Sequence, residues 1–182
     1  MAYEEREDSI PEDIVDSTQQ IWKPYSNKRE LWAQQAQEDA EFRLGRQWTA
    51  EQQRILLERG QAPLVVNRIH PAVEAAKALL TSGKPEFRVS PREDSDNKVA
   101  QIFNGLLEYM WYISDGTQAL RNTIDDYYTM GLGAMMVYID PLKDFGRGEV
   151  CFHDVDPLDI YIDPNARDRL GDDAENIIIS RM

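Results

Sequence analysis

Val99, Ile102, Phe103, Leu106, Leu107, Met110 and Trp111 recur at helical spacing and define one face of an amphipathic helix. The stripe predicts a helix over 99–111 that forms the core of the segment, so that Leu106→Ala costs about 2–5 kcal/mol. Asp115-Gly116 interrupts the period. A second helix with Leu120, Ile124, Tyr127 and Tyr128 on one face runs on to Gly131, and so short a break predicts an antiparallel or steeply angled pair. Beyond Gly133 the pattern changes to alternation or to continuous apolar runs, which predicts strands over 134–139, 149–155, 158–162 and 177–180. The polar, glycine-containing stretch 141–148 fits a long hairpin loop.

Upstream, the apolar positions thin out. Residues 12–22 allow a short helix. Residues 27–44 carry Leu31, Trp32, Gln35, Ala36, Asp39 and Phe42 at three-to-four spacing, with Gly45 placed as a C-terminal stop. A helix with so narrow an apolar stripe leans on a neighbour. Thr49 and Gln52 fit a capping box, predicting a helix over 50–59 that stops at Gly60. Pro63 makes 64–66 extended. Ile69, Val73, Ala76 and Leu80 then share a helical face, with Asn67 or His70 as N-cap, Pro71 in the first turn and Gly83 at the end. Pro85 and Pro91 bracket an alternating 86–90 segment that reads as a short strand. The fold class is therefore α+β: a helix-rich N-terminal half followed by a small, mostly antiparallel sheet. Two regions are expected, an acidic arm over 1–25 and a domain over 26–182.

Composition adds constraints. The 182 residues carry 20 Lys+Arg against 33 Asp+Glu, a net charge of -13, with 42% apolar and 9% aromatic residues. This is enough apolar material for a packed core, and the charge opposes tight, non-specific coating of DNA. Charge is also uneven. Residues 1–20 hold seven acids and only Arg6, residues 43–92 hold nine Lys/Arg against four acids, and residues 151–182 hold eight acids against three Arg. The basic stretch is expected to be spent on protein contacts, with the two acidic ends as its partners. The single cysteine, Cys151, cannot form an internal disulfide, and the first residues lack signal-peptide character, so synthesis in a reducing compartment is expected. No apolar run reaches the length of a bilayer span, and no membrane association is expected.

Chemistry is harder to find. Gly131-Leu132-Gly133 follows a helix and precedes a strand, the reverse of a phosphate-binding loop, and reads as a helix stop. Asp154, Asp156, Asp159, Asp163, Asp168, Asp172 and Asp173 are numerous enough for a divalent-metal phosphodiesterase, but Asp156-Pro157 and Asp163-Pro164 are turn pairs and Asp172 fits a helix N-cap. His70, His153 and Cys151 lack zinc spacing. Cys151 and His153 share a strand face, which reads as a half-buried strand pair before it reads as a nucleophile and base. Arg43, Arg46, Arg54, Arg59 and Arg68 around Trp48 could be offered as a nucleic-acid patch; in so acidic a chain, interface and surface pairing is the better reading. No catalytic residue, cofactor or metal is expected.

The order of motifs is more informative than any one of them. Residues 42–48 (Phe42-Arg43-Leu44-Gly45-Arg46-Gln47-Trp48), Arg54, and 63–73 with Asn67-Arg68-Ile69-His70-Pro71 resemble the opening of phage portal proteins, particularly those of short-tailed phages. Lys84-Pro85, Pro91, the 100–113 helix, Gly131-Leu132-Gly133, Asp156-Pro157, Tyr161-Ile162-Asp163-Pro164 and Asp172-Asp173-Ala174 continue that resemblance in register. It covers residues 40–182 and places the segment in the outer wing region of a portal. The resemblance implies a structural subunit of a twelve-membered homo-oligomeric ring at the capsid vertex, a conduit for packaging and ejecting double-stranded DNA. It implies major capsid and scaffolding proteins as partners, with the terminase motor and tail adaptor docking elsewhere, and assembly in the bacterial host cytoplasm. Portals run on into a stem and clip, so this chain is expected to be the N-terminal portion of a longer product. Within this frame Trp32, Phe42, Arg43, Arg46, Trp48 and Arg54 are candidate interface residues, and Gly45, Asn67, Pro71, Gly131, Gly133, Asp156, Pro157, Asp163, Pro164 and Asp172 are candidate structural positions. The alternatives from other classes are the metal-dependent phosphodiesterase and an acidic adaptor binding a basic partner through residues 1–20.

Overall fold

In place of two short N-terminal helices, the chain forms one. The computed structural model describes residues 12–83, 85–93, 96–168 and 171–180, and its first element is α1, Glu12–Arg43, with Pro24 inside it. Proline removes a helix hydrogen bond and normally ends a helix. Here packing on both sides of it compensates: the Trp22 ring lies 4.1 Å from that of Tyr161, and Tyr25 is buried. Of the expected acidic arm, residues 1–11 lie outside the described residues and the remainder is the start of α1.

The chain divides into two compact units, one comprising residues up to Gln34 together with those from Asp159 onward, the other Gln35–Leu158. In the larger unit, α2 (Ala50–Glu58), α3 (Ile69–Leu80), α4 (Asn97–Ile113) and α5 (Gly116–Met130) precede β1 (Ala134–Asp140) and β2 (Glu149–Val155). The strands pair antiparallel from Ala134 opposite Val155 to Asp140 opposite Glu149. Helices α4 and α5 pack on β2, and α3 packs on α5. Ala36, Val73, Ala100, Trp111, Ala119, Cys151 and Val155 form the buried set.

The α4 stripe is not that core. Val99, Ile102, Phe103 and Leu106 are exposed, Ile102 by 70% and Leu106 by 44%, whereas Ala100 and Trp111 are buried. The helix turns a neighbouring face, Ala100, Asn104, Leu107 and Trp111, inward, and Leu106→Ala has too little burial to cost what was expected. The 86–90 segment is extended but forms no strand. A side chain replaces the missing ladder: Asn104 Oδ1 accepts from Val89 N at 2.7 Å, and its Nδ2 donates to Val89 O at 3.2 Å. A sequence pattern of alternating side chains specifies extended backbone, not the identity of its partner.

The expected 158–162 strand begins instead as a 3-10 turn over Pro157–Asp159, leaving β3 as Ile160–Ile162, which in the smaller unit pairs antiparallel with β4, Ile177–Ile179. The aspartate-proline pair explains the shortening: Asp156 Oδ1 accepts from Leu158 N at 2.8 Å and bends the chain before the strand starts. The α+β class holds: among the described residues, five α-helices are followed by two two-stranded antiparallel ladders.

Candidate functional site

The portal-like opening motif folds into one polar junction in the larger unit. Helix α1 ends at Arg43, and Gly45 takes the left-handed conformation, φ +83°, that turns the chain away. Asn67 then serves two helices. Its Nδ2 donates to Arg43 O at 2.7 Å, stopping α1, while its Oδ1 accepts from Ile69 N and His70 N, both at 3.1 Å, starting α3. Of the two N-caps considered, Asn67 does the capping and His70 is a donor to it. A Cβ at Gly45 would sit 3.3 Å from Asn67 Nδ2, so the glycine also keeps room for the amide.

From this junction the Arg43 guanidinium, with its side chain only 15% exposed, reaches α3 and α5. Nη1 and Nη2 form a forked pair with Asp125, and Nη2 also lies 2.9 Å from Glu74 Oε1. Lys77 Nζ closes the group at 2.6 Å from Glu74 and 2.9 Å from Asp125. Two cations thus alternate with two carboxylates, each desolvated charge facing an opposite one. Burial pushes the Asp125 carboxyl up, but hydrogen bonds from Arg43 and Lys77 outweigh it and hold the group below its usual range. The Lys77 hydrogen bond lowers Glu74, and Glu74 in turn raises Lys77. Next along α5, Asp126 feels the Arg43 charge only as the weakest of several influences. Burial first, then repulsion from Asp156, Asp125 and Asp154, raises it from 3.8 to about 6.

The other candidate interface residues lie differently. Phe42 is half-buried, Arg46 pairs with Glu41 at the surface, and Arg54 bridges Glu51 and Glu58 on α2. Trp48 is partly exposed and donates its indole N–H to Leu64 O at 3.1 Å. Thr49 and Gln52 make the expected capping box between them. Trp32 belongs to the smaller unit, half-buried with the Arg29 guanidinium 5.2 Å from its ring centre. Among the described residues, five of the nine basic side chains over 43–92 pair with Glu41, Glu51, Glu58, Glu74, Glu86 and Asp125.

The structural positions are occupied as turns and close approaches. Pro71 sits in the first turn of α3. Gly131, φ +79°, terminates α5, and Gly133 runs so near that helix that a Cβ would lie 2.2 Å from Thr123 O; both are backbone devices and neither cradles a phosphate. Pro157 is fully buried behind Asp156. In the smaller unit Asp163 is buried and accepts from Asn165 N at 2.7 Å and Glu175 N at 3.3 Å, while Pro164 O receives the Lys28 ammonium. Asp172 caps no helix, since 171–176 contains only turns; the capping work falls to Asp173, which accepts from Arg167 N and Asp168 N and is lowered by those bonds. The remaining aspartates are equally committed, Asp154 to Asn122, Asp159 to Ser180 and Asp168 to the Asp172 N–H. Among the described residues no group of three or more His, Cys, Asp or Glu is arranged to hold a metal ion. Cys151 is buried with Lys143 Nζ 3.2 Å from its sulfur, and His153, two residues along β2, is exposed. No helix among the described residues is long and apolar enough to cross a membrane.

Sequence reasoning did not pick out Glu74, Lys77, Asp125 or Asn104. The only signal for the first pair was the three-residue spacing of Glu74 and Lys77; Asp125 lies beyond any local pattern.

What the arrangement offers is paired charge, capped helices and tight turns. The family model described as phage P22-like portal protein matches residues 19–182. A portal protein of Helicobacter pylori bacteriophage KHP30 is 24% identical over 120 residues, which are 66% of this chain and 20% of that protein. The chain thus spans about a fifth of the length of that relative. With the family pattern running through nearly all the described residues, the chain belongs to the P22-like phage portal protein family.

Proposed function

We propose that this chain is the outer wing portion of a portal subunit and works by assembly: twelve copies in a ring at the capsid vertex form a conduit for packaging and ejecting double-stranded DNA. Major capsid and scaffolding proteins surround such a ring, and the terminase motor and tail adaptor dock through parts of the subunit beyond this segment. Its place is the virion, with assembly in the host cytoplasm. The observation that carries this reading is the family match over 19–182. The physical support is a surface made for contact: α4 presents Val99, Ile102, Phe103 and Leu106 outward, an apolar row whose exposure suits a protein interface. Trp48 and Trp32 supply further anchors of the type that dominate interfaces.

Electron microscopy of the purified particles, with sedimentation of the same sample, tests the reading. Rings are expected. A monodisperse monomer at every concentration overturns it, and so does magnesium- or manganese-dependent cleavage of DNA by the purified chain.

A further inference from the structure

We draw no further inference here: the strongest candidate, the cleft between residues 85–88 and α4 walled by Phe87 and Trp111, has a charged rim in which Arg88 is already paired with Glu86, and nothing in the structure shows what covers it.

Discussion

Asp125 and Asp126 are adjacent on α5, yet their surroundings drive them in opposite directions. Asp125 faces Arg43 and Lys77 and stays ionised; Asp126, half-buried among Asp125, Asp154 and Asp156, holds its proton up to about pH 6. The consequences for stability have opposite signs. For Asp126 the folded state binds the proton more tightly than the unfolded chain, so its contribution is favourable below its ordinary value of 3.8 and is lost as pH rises toward 6. For Asp125 the folded value is depressed, so its stabilisation is present above the ordinary range and is lost only as pH falls below it. Asp126→Asn is therefore expected to raise the melting temperature at pH 7 and to leave it nearly unchanged at pH 4, a difference of about 1 kcal/mol once solvent screening of a half-exposed group is allowed for. Thermal melts at the two pH values measure it, and equal shifts at both would show that packing, not ionisation, decides the effect. Gly133 poses a steric question in place of an electrostatic one. With Thr123 O only 2.2 Å from where a Cβ would stand, Gly133→Ala forces β1 away from α5 and is expected to cost about 1–3 kcal/mol in denaturant melts.

At the scale of elements, α4 shows where the sequence was legible and where it was not. The helical period was plain in the spacing from Val99 to Trp111, and α4 forms over Asn97–Ile113. The buried side was not plain, because period fixes that a helix has an apolar stripe but not that this chain alone covers it. The face turned inward contains Asn104, whose polarity disguised it, and an alanine, Ala100, too small to register as core. The anchor is Trp111, which is 4% exposed, rests edge-on to Phe152 at 5.4 Å, and donates to Thr117 Oγ1 over Gly116. Trp111→Ala is expected to cost about 3–5 kcal/mol, in the range of buried aromatic truncations, while Leu106→Ala costs well under half of that; a denaturant series on both variants reads the contrast directly. Apart from Asp172, which caps no helix, the caps were legible for a related reason. The Thr49 and Gln52 box and the Gly45 and Gly131 stops depend on backbone groups a few residues away, so local sequence contains all their partners. The Arg43, Glu74, Lys77 and Asp125 cluster needs three helices brought together, and the 86–90 segment needs Asn104 from α4. Nothing local announces either.

For the molecule as a whole, charge decides how it meets DNA. Affinity for a duplex grows with the number of condensed counterions that free Lys and Arg side chains displace. Its net charge is -13, and five of the nine Lys and Arg residues over 43–92 are engaged: Arg43 and Lys77 with Asp125 and Glu74, Arg46 with Glu41, Arg54 with Glu51 and Glu58, Arg88 with Glu86. To bind a phosphate, each would have to surrender a carboxylate already within ion-pair distance, so the gain from counterion release is offset before it begins. The conduit proposed above would benefit from this arrangement, because every phosphate held by a wall slows the passage of the next. Duplex DNA is therefore expected to bind no more tightly than the non-specific range, roughly 1–100 μM at about 150 mM salt, with the shallow salt dependence of few phosphate contacts. A mobility-shift titration at two salt concentrations measures both quantities. Submicromolar binding that is lost on Arg46→Glu would mean that the surface arginines release their carboxylates for DNA, and would overturn the proposed placement of this segment in the outer wing.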